Sequence, residues 1–370
     1  VYQPPPSHSL RGRARRAGFF GLGDEVRRFE FQDIGPNQVT QALAALDRHL
    51  TPDQGLRQWN GKALLPAPAA TIKPQRTLLL LHGTFSNSEM WFEQLGASAP
   101  GQALLQALGQ VYGKNILAFD HPTLSVAPWL NALDLHHALR GVSGPIDIVC
   151  HSRGGLVASW LLRLAPVRVQ QVIFVGSPLA GTSLASPYRL RAALDMMANI
   201  ANALALVGSA ASTVFPIAAG AAGLAKVLGK TLRLGAALPI ADAAVALVPG
   251  LASQQRTDNN AETERLFAER WLVQPKFCAV TADFEPNVDQ PAWKFWTRFR
   301  NLGLQAANLG ADVVFPGAND LVVDTDSMSF LGQPAQGTPE LLSLGKTATT
   351  FHTNYFRDAA VVAFLAGKLK

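Results

Sequence analysis

Near the middle of the chain the apolar run Ile146-Asp147-Ile148-Val149-Cys150 leads directly into His151-Ser152-Arg153-Gly154-Gly155, and a helical pattern, LVASWLLRL, follows. A serine on a sharp strand-to-helix turn carries its hydroxyl clear of the sheet, where it is placed to attack a carbonyl carbon. The turn strains the serine backbone and brings its neighbours close, so small residues are wanted two positions away on either side. Gly154 meets that need, while Cys150 replaces the first glycine of the G-x-S-x-G pattern. The following helix aims its N-terminus at the same point, and its dipole favours the negative charge that develops on the attacked carbonyl oxygen.

A serine hydroxyl needs a base to take its proton, and a histidine base needs a carboxylate to fix its tautomer. Around a serine on a turn of this kind the partners follow in the order acid, then histidine. The histidines are His8, His49, His82, His121, His136, His137, His151 and His352, and His352 alone lies beyond Ser152. The acid has several candidates. Asp283 directly follows the apolar run KFCAVT; Asp320 lies in Asn319-Asp320-Leu321-Val322-Val323; Asp324 and Asp326 come just after. Asp320 is preferred because an apolar pair directly behind the acid anchors such a turn.

A second turn carries backbone chemistry. His82-Gly83-Thr84-Phe85 closes the run Leu78–Leu81, and an early His-Gly turn is where a second N–H donor for an oxyanion is expected. The donors are assigned to the backbone N–H groups of Thr84 and Arg153, with His82 orienting the loop rather than acting as a base.

Taken together, HGTFS at 82–86, CHSRGG at 150–155, GSPLAGT at 176–182, NDLVVDT at 319–325 and the late His352 resemble bacterial lipases and esterases of the α/β-hydrolase superfamily. The resemblance runs from His82 to His352 and does not reach the first 70 residues. It implies hydrolysis of a carboxylic ester without cofactor or metal, by the triad Ser152, Asp320 and His352. It also implies that the GSPLAGT segment shapes the pocket. The substrate would be a small-molecule or lipid ester; acyl transfer, or cleavage of an amide or lipid anchor, would use the same groups, and the remaining alternative is a catalytically silent hydrolase fold that serves as a binding module.

These residues must be held by a scaffold, and the apolar runs supply one. Leu78–Leu81, Asn115–Asp120, Ile146–Cys150, Val169–Val175 and Lys276–Thr281 read as buried parallel strands. Helical patterns near Gln102–Leu108, Leu130–Leu139 and Gly155–Leu164 alternate with them. The fold class is α/β, with a mostly parallel central sheet, helices on both faces and an inserted helical cap. The core takes in 71–183 and 272–370. Residues 1–70 form an N-terminal arm, an edge strand at Glu25–Phe31 and an extended linker around Leu65–Ala70. The cap spans 184–271 and has no charged residue from Met196 to Ala225. Asn199, Asn202, Ser209, Ser212, Thr213 and Pro216 speak against reading it as a membrane span.

Composition sets the remaining bounds. With 48% hydrophobic and 16% charged residues in 370, there is ample apolar material for one core. A mean hydropathy of +0.13 suggests apolar surface under the cap, and through it contact with apolar interfaces. Part of the net charge of +6 sits in Arg11–Arg16, a run with no aromatic interleaving or nucleic-acid motif, read as a solvated arm. Cys150 and Cys278 lie in apolar runs without metal-ligand spacing and read as packing thiols. The first residues show no apolar signal core, which fits a soluble chain, cytoplasmic or secreted after removal of a leader.

Overall fold

Leucine at every position from 78 to 81 makes sense only for a strand covered on both faces. The computed structural model, which describes residues 36–67, 72, 74–185, 220, 222–224, 248–256, 260–285, 317–332 and 336–370, places β3 (Thr77–Leu81) at the middle of an eight-stranded sheet. The preceding strands are β1 (Gly55–Trp59) and β2 (Leu64–Pro66). After β3 come β4 (Ile116–Asp120), β5 (Ile146–His151), β6 (Val169–Val175), β7 (Lys276–Phe284) and β8 (Glu340–Thr347). The spatial order is β2-β1-β4-β3-β5-β6-β7-β8. The pairs β1–β2 and β1–β4 are antiparallel, and every pair from β4 to β8 is parallel.

Strand side chains alternate between two cores, as the two-residue period of a pleat demands. Leu79, Leu81, Leu117, Phe119, Ile148, Cys150 and Phe174 point to one. That face is covered by α4 (Pro128–Ala138), α5 (Gly154–Leu164) and the helix Ala261–Phe267. Leu78, Leu80, Ile116, Ala118, Val149, Ile173 and Val280 point to the other. There the cover is α2 (Glu89–Gly96), α3 (Ala99–Tyr112) and the C-terminal helix Ala359–Lys368. Each fully buried leucine contributes roughly 1.5–3 kcal/mol, and cutting one to alanine costs about 2–5 kcal/mol once the cavity is included. The two cysteines are free and buried on opposite faces.

Two boundaries differ from the sequence expectation. Residues 55–66, assigned to arm and linker, form the β1–β2 hairpin, and β1 joins the main sheet through β4. The polar Arg57 and Gln58 disguise that strand; they bond the Asp120 carboxylate and the Lys114 carbonyl instead of packing. Ahead of the hairpin, α1 (Pro36–Leu50) buries Val39, Leu43, Asp47 and Leu50 on one stripe. At the other end, Leu266, Phe267 and Trp271, assigned to the cap, pack against the sheet core. The Glu25–Phe31 strand, the Arg11–Arg16 run, nearly all of the uncharged 196–225 segment and the 286–316 insertion lie outside the described residues.

Candidate active site

At the C-terminal end of β5 the chain reverses at Ser152, whose φ of +53° lies in the left-handed region that a side chain enters at a cost of about 1–3 kcal/mol. The Ser152 N–H donates to the Val175 carbonyl at 3.0 Å, and the Gly155 N–H returns to the Ser152 carbonyl at 2.9 Å. Close approach, not backbone freedom, explains the glycines. A Cβ at Gly154 would stand 2.4 Å from the Leu81 carbonyl oxygen, and one at Gly83 would stand 2.6 Å from the Ser152 Cβ. Cys150 is tolerated because its side chain turns into the core, where Sγ lies 3.4 Å from the Ile173 carbonyl.

His352 and Asp320 meet this serine. The Ser152 Oγ is 2.8 Å from His352 Nε2, and His352 Nδ1 is 2.8 Å from Asp320 Oδ2. Donation from Nδ1 to the carboxylate leaves Nε2 with a lone pair facing the hydroxyl. All three residues are buried. The Asp320 carboxylate has four donors. Oδ1 accepts the N–H groups of Val322 (3.1 Å) and Val323 (2.8 Å), and Oδ2 accepts the Tyr355 hydroxyl (2.9 Å) beside His352. The turn is also tied to the histidine directly, since the His352 N–H donates to the Asp320 carbonyl at 3.0 Å.

The other carboxylates have different partners. Asp324 accepts the N–H and hydroxyl of Ser183 at 2.7 and 2.9 Å. Asp326 pairs with both terminal nitrogens of Arg256, and the Asp283 Oδ1 receives the Asn319 N–H at 3.3 Å. The GSPLAGT segment braces the acid turn: the Thr182 hydroxyl donates to the Val322 carbonyl, and Ser327 Oγ bridges Ala180 and Gly181.

The other turn packs Gly83 on the serine and so brings Thr84 beside it. Among the described residues, neither the Thr84 nor the Arg153 N–H donates to a protein acceptor. The His82 ring is buried, with Nδ1 3.0 Å from the Gly83 carbonyl and Nε2 accepting the His121 N–H at 3.2 Å. Both nitrogens are therefore committed, and burial lowers its pKa so that the ring stays neutral. Asp47 supports the neighbouring 121–127 loop. Its buried carboxylate accepts the N–H groups of Thr123, Leu124 and Ser125. The Arg153 side chain runs inward, with Nη2 on the Val126 carbonyl and on Asn131 Oδ1 (2.8 Å), and burial lowers its pKa to about 10.

Three contributors carry no sequence signal of their own. His151 Nε2 donates to the His352 carbonyl at 2.7 Å, and burial holds its pKa well below the ordinary imidazole value. Tyr355 bonds the acid, and burial next to Asp320 raises its pKa well above the usual phenol range, so it stays a donor. Gln254 reaches the Thr84 hydroxyl. Among the described residues no cluster of three or more histidine, cysteine, aspartate or glutamate side chains could hold a metal ion, and no helix is long and apolar enough to cross a membrane.

A family profile described as a domain of unknown function, DUF7379, matches residues 48–370. The chain belongs to this family. DUF7379 thus covers the whole sheet and every residue of the constellation around Ser152. No curated protein matches the sequence. Among solved structures, lipase 1 from Pelosinus fermentans is 14% identical, with a TM-score of 0.50 over 80% of this chain and 99% of that one. The mature form of Bacillus licheniformis lipase BlEst2 is 16% identical, with a TM-score of 0.42 over 83% and 94%. MenH from S. aureus is 12% identical, with a TM-score of 0.40 over 85% and 99%. At 14% identity the likeness to the Pelosinus lipase is one of architecture, and with the mostly parallel eight-stranded sheet that architecture is the α/β-hydrolase fold.

Proposed function

We propose that the protein is a serine hydrolase that cleaves carboxylic esters through an acyl-enzyme. The observation that carries this reading is the unbroken Ser152–His352–Asp320 line, 2.8 Å at each step, at a strained turn in a buried setting. In acylation His352 Nε2 takes the Ser152 proton as Oγ bonds to the carbonyl carbon. The oxyanion is held by the Thr84 and Arg153 N–H groups, which no described protein group uses. Collapse of the adduct breaks the carbon–oxygen bond, and His352 returns the proton to the departing alcohol. Water then repeats the sequence on the acyl-enzyme and releases the acid and the free serine. Asp320 stays ionised throughout and fixes the imidazole tautomer.

The uncharged 196–225 segment points to an ester with an apolar acyl or aromatic group and to contact with apolar interfaces. Initial rates on p-nitrophenyl esters from acetate to palmitate, with Ser152→Ala alongside, test this. The proposal expects turnover by the wild type, a rise in kcat/KM beyond acetate, and loss of turnover in the variant. Equal turnover by Ser152→Ala would refute the serine mechanism, and a flat or falling series would refute the apolar preference.

A further inference from the structure

The segment 248–256, within the stretch expected to form the cap, runs between the 121–127 loop and the GSPLAGT segment. The Gly250 N–H donates to the Leu124 carbonyl at 3.0 Å, and the Thr182 N–H donates to the Gln254 carbonyl at 2.7 Å. The fit leaves no room for side chains. A Cβ at Gly250 would lie 1.8 Å from the Thr123 carbonyl oxygen, and one at Gly181 would lie 1.9 Å from the Gln255 carbonyl oxygen. Gln254 is buried in this wedge. Its Nε2 donates to the Gly250 carbonyl at 2.6 Å and to the Thr84 hydroxyl at 3.0 Å, with Oε1 3.3 Å from the same hydroxyl. The Gly250 carbonyl also accepts the Ser253 hydroxyl at 3.1 Å, and because an amide oxygen 2.6 Å from that carbonyl would be repelled, the Gln254 NH2 is the end that faces it.

The turn that Gln254 grips is held at Gly83 by the His82 ring and is strained just beyond Thr84. Phe85, the residue after Thr84, is left-handed at φ +55°, a strained state for an aromatic residue. Its own N–H makes a long contact of 3.4 Å to Thr123 Oγ1. Gly220 also packs on this turn, with no space for a Cβ against the Phe85 ring.

We propose that Gln254 is a positioning residue for the oxyanion turn, so that the 248–256 segment, and not the sheet alone, sets the aim of the Thr84 N–H. This rests on the reading of Thr84 as an oxyanion donor. A donor contributes only when held within a few tenths of an ångström of the developing charge, and misplacement by about 1 Å costs on the order of 100-fold. Without the tether, Thr84 and the strained Phe85 relax together. Ground-state binding of the ester, which does not use that N–H fully, changes little.

The test uses Gln254→Met, which keeps the length and removes all three hydrogen bonds of the amide, Thr84→Val, which cuts the two to Thr84 from the other end, and the double variant. Each single variant should lose about 10- to 100-fold in kcat with KM within about 2-fold. The rate of phosphonylation by a fluorophosphonate should fall in parallel, and the double variant should lose no more than the worse single one. An unchanged kcat in either single variant, a loss confined to KM, or additive losses in the double variant would overturn the proposal. If Gln254→Met does not fold, Thr84→Val alone decides by the same criteria. A wild-type protein inert to the fluorophosphonate would instead bring down the hydrolase reading itself, which separates the two failures.

Discussion

Replacing Asp320 with asparagine changes one atom and should nearly silence the site while leaving the fold in place. The carboxylate serves four donors, two on each oxygen. Asparagine has a single acceptor oxygen. The Val322 and Val323 N–H groups are fixed by the turn, so the oxygen stays with them and the NH2 faces His352 and Tyr355. The tyrosine hydroxyl can rotate and accept. The imidazole has one answer, to move its proton to Nε2 and accept at Nδ1, and that places N–H instead of a lone pair against the Ser152 hydroxyl. A triad aspartate turned to asparagine costs roughly 10⁴-fold in kcat through this same tautomer error, equivalent to about 5.5 kcal/mol of barrier. The assay is kcat on p-nitrophenyl butyrate at pH 8, with thermal unfolding in parallel and Asp283→Asn and Asp324→Asn as comparisons. The expected result is a loss of about 10³- to 10⁴-fold for Asp320→Asn and much smaller losses for the other two. A folded Asp320→Asn enzyme retaining a tenth of wild-type kcat, or an equal loss in Asp283→Asn, would refute the reasoning.

Further outcomes follow from the same contacts. Tyr355→Phe removes one of two donors from Asp320 Oδ2 and loosens the hold that orients the carboxylate beside His352; kcat should fall about 3- to 10-fold, and an unchanged kcat would contradict that role. Gly154→Ala puts a Cβ 2.4 Å from one carbonyl oxygen and 2.8 Å from the next, so it should cost at least about 1–3 kcal/mol in denaturant unfolding; an unchanged midpoint would mean that the turn is not tight. Glu262 is lifted by burial from 4.5 to about 7, with Arg153 pulling the other way. Between those values the folded chain holds a proton that the unfolded chain has released, so the group's contribution weakens as pH rises and its penalty is complete above about 7. Glu262→Gln should therefore raise the unfolding temperature at pH 8 and change it little at pH 4. A lower unfolding temperature at pH 8 would contradict the burial argument.

Much of this arrangement was legible in sequence because burial on both faces writes itself as unbroken apolar runs. The five expected core strands and three expected helices appear within a few residues of their stated positions. Asp320 beside His352 was legible for a physical reason too, since the valines that follow the acid supply the two N–H groups on its inner oxygen. Strands at the margins were not. Among the described residues β8 pairs only with β7 and leaves Leu341 half exposed, and β1 spends Arg57 and Gln58 on hydrogen bonds. Such strands lack the composition of a buried one. The supporting residues stayed hidden because each acts across the chain. His151 meets His352 over a separation of 201 residues, and Gln254 meets Thr84 over 170. A histidine, a tyrosine or a glutamine carries no local mark of the partner it will find in space.

The most direct test of the account is where an electrophile lands. Treatment of the folded protein with a fluorophosphonate, followed by peptide mass spectrometry, should place one phosphonyl group on Ser152. Labelling should vanish in Ser152→Ala and slow by orders of magnitude in His352→Ala. Absence of label on the wild-type protein, or a label carried equally by Ser152→Ala, would contradict a nucleophilic Ser152.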